Sequence, residues 1–160
     1  MAPDLRVRPV RTGPDWAAAR ALRQRVFVEE QACPPEEEWD AHDLPEARGR
    51  TCHHLLGFVG DEAVAVARWR PVKHAGRSAA KLERFAVRAS WRGHGLGRAM
   101  VAATLEAARA AGHRRFVLHA QAHLQRLYEA FGFRPVGDVF EEAGIPHVTM
   151  VKDEGPGPEG

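Results

Sequence analysis

Three glycines at alternate positions, Gly93, Gly95 and Gly97, stand between a segment with strand character (Lys81–Val87) and an alanine-rich helical segment. They restrict this chain more than any other feature. Glycine reaches conformations that let a backbone curl tightly and expose successive N–H groups. A helix starting there adds its unpaired donors and the positive end of its dipole. Arg92 places a full positive charge beside them. The combination suits a pyrophosphate. Other phosphate loops fit less well. A Walker A loop needs Lys and then Ser or Thr after its last glycine, but Arg98-Ala99 follows here, and Arg98 also takes the third glycine position of a dinucleotide fingerprint. ATP hydrolysis and NAD binding are therefore disfavoured. A turn that only caps a helix is the plainer alternative.

The remaining pattern sets the architecture. Leu5, Val7 and Val10 alternate with arginines, which predicts a strand over 5–10. Thr12-Gly13-Pro14-Asp15 signals a helix start, and Trp16, Ala19, Leu22, Val26 and Phe27 give helical spacing over 15–29. Pro34-Pro35 ends that helix, and 33–50 reads as a long polar loop with one short helix at most. His54–Val59 and Ala63–Arg70 flank Gly60-Asp61-Glu62 as a hairpin, 70–77 reads as loop, and Lys81–Val87 as the next strand. A helix runs from the glycines to Gly112, with Leu96, Met100, Ala103, Ala107 and Ala110 as its apolar stripe. A short strand over Phe116–His119, a helix over His123–Phe131 and two strands within 134–152 complete the chain. The order β-α-β-β-β-α-β-α-β-β predicts an α/β fold (α+β, mixed sheet): one domain over 1–152, a central twisted mixed sheet of six to seven strands, and helices on both faces. Residues 153–160 read as a disordered tail.

Bulk properties narrow the functional classes. A chain of 160 residues suits one domain with a sizeable core. The net charge of +2, from 23 basic and 21 acidic residues, gives no reason to expect nucleic acid or an anionic membrane as partner. No apolar run approaches the roughly 20 residues of a membrane span. The N-terminus lacks a signal-peptide core. Cys33 and Cys52 form neither a metal pair nor a disulfide framework, so a cytoplasmic location with free thiols is expected. The histidines are scattered, with His53-His54 the only adjacent pair and no HExxH motif, so no metal is expected.

Arg92-x-x-Gly95-x-Gly97 between a strand and a helix resembles the acetyl-CoA signature of the GNAT superfamily of N-acetyltransferases. Leu127-Tyr128-Glu129-Ala130-Phe131-Gly132-Phe133 is similar to the second hallmark of that family, an aromatic-Tyr-x-x-x-Gly-Phe on the following helix. Arg25–Gln31, the Asp40 and Asp43 pair, and Phe140–His147 look like the ElaA-like bacterial branch. The resemblance implies a single GNAT-like domain that moves an acetyl group from acetyl-CoA, as co-substrate, to an amine of a small molecule or peptide by direct attack in a ternary complex. It implies that residues 92–97 (Arg92, Gly93, His94, Gly95, Leu96 and Gly97) hold the CoA pyrophosphate. It also implies that Phe85-Ala86-Val87 splay from the next parallel strand, so that pantetheine pairs with their amides. Gln121 stands where many members carry Asn, and Leu127 where an aromatic often precedes the Tyr. Dimers are frequent in this superfamily, which leaves a homodimer open. An acyl-CoA sensor without transferase activity is the alternative function.

Three residues lead the candidates for the chemistry. An amine of pKa about 10.4 must lose its proton before attack, at a cost of about 4.6 kcal/mol at pH 7, so a general base helps. Glu83 lies among Leu82, Phe85 and Val87, where burial would raise its pKa toward neutrality; the other possibility is an ion pair with Arg68, Arg70 or Arg84. His147 competes for the same role, with Glu142 nearby in sequence, or is a surface His flanking a turn. Tyr128, the only tyrosine, matches the general acid of the family that protonates the CoA sulfur, or is a core aromatic. His119 is a further candidate beside the cleft. Arg25, Glu29 and Glu142 are candidates for binding the acceptor, where acidic groups would attract a cationic amine.

Overall fold

The computed structural model describes residues 3–155. Seven strands form one sheet in the order β1-β2-β3-β4-β5-β7-β6. They are β1 (Arg6–Pro9), β2 (His53–Val59), β3 (Glu62–His74), β4 (Arg77–Val87), β5 (Arg115–Gln121), β6 (Arg134–Glu142) and β7 (Ile145–Asp153). All pairings are antiparallel except β4 with β5. The helices are α1 (Gly13–Arg23), α2 (Pro35–Glu38), α3 (Leu96–Ala110) and α4 (Gln125–Glu129). The expected order and mixed sheet are present.

Strand alternation sorts side chains onto two faces. Leu55, Ala65, Ala67, Leu82, Phe116, Leu118 and Met150 face α3, where Leu96, Met100, Leu105 and Ala108 cover them. Leu56, Phe58, Val66 and Ala86 point the other way and pack on Ala19, Leu22 and Val26 of α1 and its extension. A bulge in β4 changes the phase of this alternation. Arg68 pairs with Glu83 and Val66 with Ala86, so two residues, Arg84 and Phe85, lie opposite Ala67. Arg84 takes a left-handed φ of 61°. The extra residue returns Phe85 and Val87 to the α3 side and turns the end of the strand.

Several local expectations need correction. Residues 70–77 are not a loop: β3 runs to His74 and turns into β4 through Ala75-Gly76, both at positive φ. Such a tight turn matches the twist of the flanking strands. Pro71 is tolerated because β2 pairs with β3 only as far as Trp69, so Pro71 lies beyond its last partner there. The helix expected over 15–29 is α-helical only to Arg23 and continues as a wider π-helical turn over Gln24–Glu30. The 33–50 segment contains α2 and a 3₁₀ turn at Ala41–Asp43. The helix expected over His123–Phe131 is a 3₁₀ turn followed by α4. Asp153 ends β7, and the Glu154 carboxylate accepts from Arg109 at 2.6 Å, so the chain stays anchored past 152. The remainder of the expected tail, 156–160, lies outside the described residues.

Candidate active site

β4 and β5 pair only at Ala80–Phe116 and Lys81–Val117 and part beyond that point. The gap opens into a cavity of about 520 Å³. Its floor is the sheet face opposite α3: Arg68 and Arg70 from β3, Lys81 and Glu83 from β4, His119 and Gln121 from β5, and His147 from β7 all line it. Period-2 alternation places them together, because their apolar neighbours Ala67, Trp69, Leu82, Leu118, Ala120 and Val148 face α3. Phe27 from the π-helical turn, Gln31 just after it, and Cys33, Glu37 and Glu38 in and before α2 form one wall. Glu142, Ala143 and Ile145 from the β6–β7 turn form the other.

The glycine segment lies ahead of α3. Gly93 and Gly95 have φ of 83° and 79°, and Gly95 caps the helix in the left-handed region. No side chain caps this end, and the first turn carries no acidic residue. The first backbone bond back to it runs from Ala99 N to Gly95 O, 3.2 Å. A Cβ at Gly93, Gly95 or Gly97 would meet nothing within 4 Å, so these glycines face open space rather than packed side chains. Arg92 donates through Nε to Val87 O at 3.0 Å and pairs with Glu30 at 2.6 Å. Residues 92–97 are not among the cavity walls; Phe85 is, next to Ala86 and Val87 at the splayed end of β4.

Tyr128 lines the cavity from α4, its ring 6.3 Å from Phe85 and 6.2 Å from Phe133. Its hydroxyl has no hydrogen-bond partner among the described residues. Burial pushes its pKa up to about 12, which keeps the proton on the oxygen.

Glu83 does not have the raised pKa expected of it. Burial raises it, but Arg68, Arg70 and Lys81 outweigh burial and hold its pKa at about 2. Glu83 Oε2 lies 2.6 Å from Arg68 Nε and 3.1 Å from Arg70 Nε, and Lys81 Nζ is 3.5 Å from Oε1. The geometry is that of a buried ion pair. Arg68, itself 1% exposed, also donates to Asp40 and Asp43. Arg23 from α1 donates to Asp43 and Glu38, and Arg84 pairs with Glu38 at 2.7 Å. The polar loop is thereby fastened to the sheet by charge. Lys81, Arg84 and Glu38 were not singled out as site residues in the sequence. In the sequence Lys81 shows only as charge alternating with Glu83 along a strand, which a solvated face shows equally well, Arg84 only as a possible ion partner of Glu83, and Glu38 only as one acid of a polar loop.

His147 is nearly buried. Its Nδ1 is 2.7 Å from Ile145 O. A carbonyl can only accept, so Nδ1 carries the hydrogen and neutral His147 presents a lone pair at Nε2. Nε2 is 3.7 Å from Glu142 Oε2. The other Glu142 oxygen is 3.0 Å from His119 Nδ1, a contact that lowers the Glu142 pKa. Phe140 stacks near His147 and meets His119 edge-on. Gln121 donates to Gln31 at 3.3 Å across the cleft. Arg25 and Glu29, expected to bind the acceptor, are exposed, pair with each other at 3.8 Å and do not line the cavity; Glu142 does. They share the π-helical turn with buried Val26 and cavity-lining Phe27 but lie on its solvent side.

Among the described residues, no group of three His, Cys, Asp or Glu could hold a metal ion, and no helix is long and apolar enough to cross a membrane. Both cysteines are free.

Residues 37–154 match the acetyltransferase (GNAT) domain family. Escherichia coli ElaA is 39% identical over 138 residues, 82% of this chain and 83% of ElaA. Its crystal structure superposes with a TM-score of 0.78, covering 94% of this chain and 99% of that one. The uncharacterized N-acetyltransferase YjcF of Bacillus subtilis is 35% identical over 82% of this chain and 88% of its own. An acyl-CoA N-acyltransferase structure from Pseudomonas aeruginosa, 34% identical, gives a TM-score of 0.78 over 94% of this chain and 99% of that one. With the parted strands, the open glycine turn and these matches together, the chain belongs to the GNAT acetyltransferase family, enzymes that move an acyl group from acyl-CoA to an amine.

Proposed function

We propose that this protein is a cytoplasmic N-acetyltransferase that passes the acetyl group of acetyl-CoA directly to an amine bound in the same cleft. The observation that carries this is the separation of β4 from β5 beyond Lys81, with an uncapped helix N-terminus ahead and Tyr128 beside the gap. Amides of residues 92–97 take the pyrophosphate, aided by the dipole of α3 and by Arg92. The free edge of β4 at Phe85-Ala86-Val87 offers strand-like hydrogen bonds to the two amides of pantetheine. Gln121 lies across the gap from that edge.

His147 is the base. It lines the cavity with Nε2 free of a hydrogen, and Glu142, 3.7 Å from that nitrogen, stabilises the imidazolium that forms on taking the proton of the amine. Glu83, held at a pKa of about 2, has little tendency to accept a proton and instead fixes the arginines of the floor. Tyr128 keeps its proton until the C–S bond breaks and then donates it to the departing thiolate. The ammonium gives up two protons, one to His147 before attack and one by the same route, through solvent, after the C–N bond forms; Tyr128 gives one to sulfur and regains it from solvent, so one proton is released per acetyl transferred.

The test is thiol release from acetyl-CoA over a panel of amines, alongside calorimetric titration of CoA. Turnover that His147→Gln abolishes without weakening CoA is the expected result. Tight CoA binding with no turnover on any amine supports a sensor instead, and no CoA binding at all removes the basis of the assignment.

A further inference from the structure

The charges of the cavity floor do not cancel locally. Arg68 is engaged by Asp40, Asp43 and Glu83, and Arg84 by Glu38 and Asp40. That leaves Glu83, which Arg68 already shares, as the one carboxylate within ion-pair distance of Arg70 and Lys81 among the described residues. Arg70 reaches Glu83 through Nε alone, at 3.1 Å. Its two terminal nitrogens make no hydrogen bond among the described residues. Lys81 Nζ stands 3.5 Å from Glu83 Oε1, too far for a good hydrogen bond, and its charge also lowers the pKa of Glu142. Both side chains line the cavity and keep about a fifth of their surface open, 21% for Arg70 and 19% for Lys81. Paired strands hold them side by side, since Arg70 lies directly across from Lys81.

We infer that the acceptor carries a carboxylate as well as its amine, and that Arg70 and Lys81 bind that carboxylate. This rests on the acyl transfer proposed above. A guanidinium with its end nitrogens free is shaped for a planar carboxylate, and the neighbouring ammonium adds a second charge. The amine then lies toward Glu142 and His147, which line the same cavity. Two carboxylates nearby, Glu83 and Glu142, keep this site from attracting anions indiscriminately. A polyamine fits poorly, because its second ammonium would meet Arg70 and Lys81 rather than a free acid. The substrate class is an amino acid or a compound built like one.

The experiment titrates CoA-saturated protein calorimetrically with N-acetylglycine, N-acetylphenylalanine, N-acetyl-γ-aminobutyrate and N-acetyl-ε-aminohexanoate, each beside its carboxamide. The series varies the distance between nitrogen and carboxylate. At least one acid should bind about ten-fold tighter than its amide, as expected for a charge-assisted contact. Arg70→Gln and Lys81→Met should each erase that advantage without changing the affinity for CoA. Equal binding within every pair, or no saturable heat from any acid up to about 10 mM, overturns the carboxylate site. If CoA itself fails to bind in the control titration, the acyl transfer is what fails, so the two errors are distinguished.

Discussion

The glycine turn ahead of α3 and the charged floor under β3 and β4 both manage charge, by different means. The turn is local: six consecutive residues, open space where side chains would be, and donors supplied by backbone. The network around Arg68 and Glu83 on the floor is assembled from α1, α2, β3, β4 and the Ala41–Asp43 turn with Asp40 before it, and these charges are held by one another. A local device can be altered with little effect on the rest of the fold. A buried network couples the site to stability, because each charge that loses its partner stays buried.

The sharpest way to break this contrast is Arg68→Met. It leaves Asp40, Asp43 and Glu83 short of their shared partner, and about 3–5 kcal/mol of stability should be lost, measured by urea unfolding. A loss below about 1 kcal/mol would mean that the floor is no more coupled than a surface pair.

Acid should weaken the same region in the wild-type chain. His54 is buried with its pKa lowered from 6.5 to about 4, so the stability it contributes is present above pH 6.5 and lost as pH falls toward 4. Glu83, lowered from 4.5 to about 2, contributes stability present above 4.5 and lost on the way to 2. Denaturation midpoints should fall in both windows, and His54→Gln should remove the upper one. Flat stability from pH 7 to 4 would contradict the linkage.

Tyr128→Phe tests chemistry rather than charge. Turnover should drop by about 10²-fold while affinity for acetyl-CoA holds, because the hydroxyl acts only as the bond to sulfur breaks. At the turn, Gly95→Ala puts a side chain where φ is 79°, which costs about 1–2 kcal/mol and should weaken CoA binding, with the floor untouched. The smallest effect is expected from Glu30→Gln. It frees Arg92 from a 2.6 Å ion pair that is partly exposed, and CoA should bind only a few-fold tighter. Weaker binding would show that Glu30 positions Arg92 rather than competing for it.

Local features carried the fold a long way. Turn glycines, capping residues and alternating apolar positions in this chain predict the order of strands and helices, and the turn ahead of α3 could be read directly because all its parts are adjacent in sequence. Tyr128 was singled out through the resemblance of Leu127–Phe133 to a family motif, and the structure puts it in the cavity lining. The extension of β3 and β4 past Pro71 was not legible, because a proline reads as a break until it is known that the strand beside it has already ended.

By itself the sequence determined which residues are near each other along the chain, and so the helix N-terminus and the β2–β3 hairpin. Only the tertiary structure decided what Glu83 is. Burial alone would have made it a base, but β3 lies antiparallel to β4 in the register that sets Arg68 opposite Glu83, and the loop brings Asp40 and Asp43 onto the same arginine. The pKa of a buried group depends on the sum of desolvation and nearby charges, and most of those charges come from parts of the chain distant in sequence.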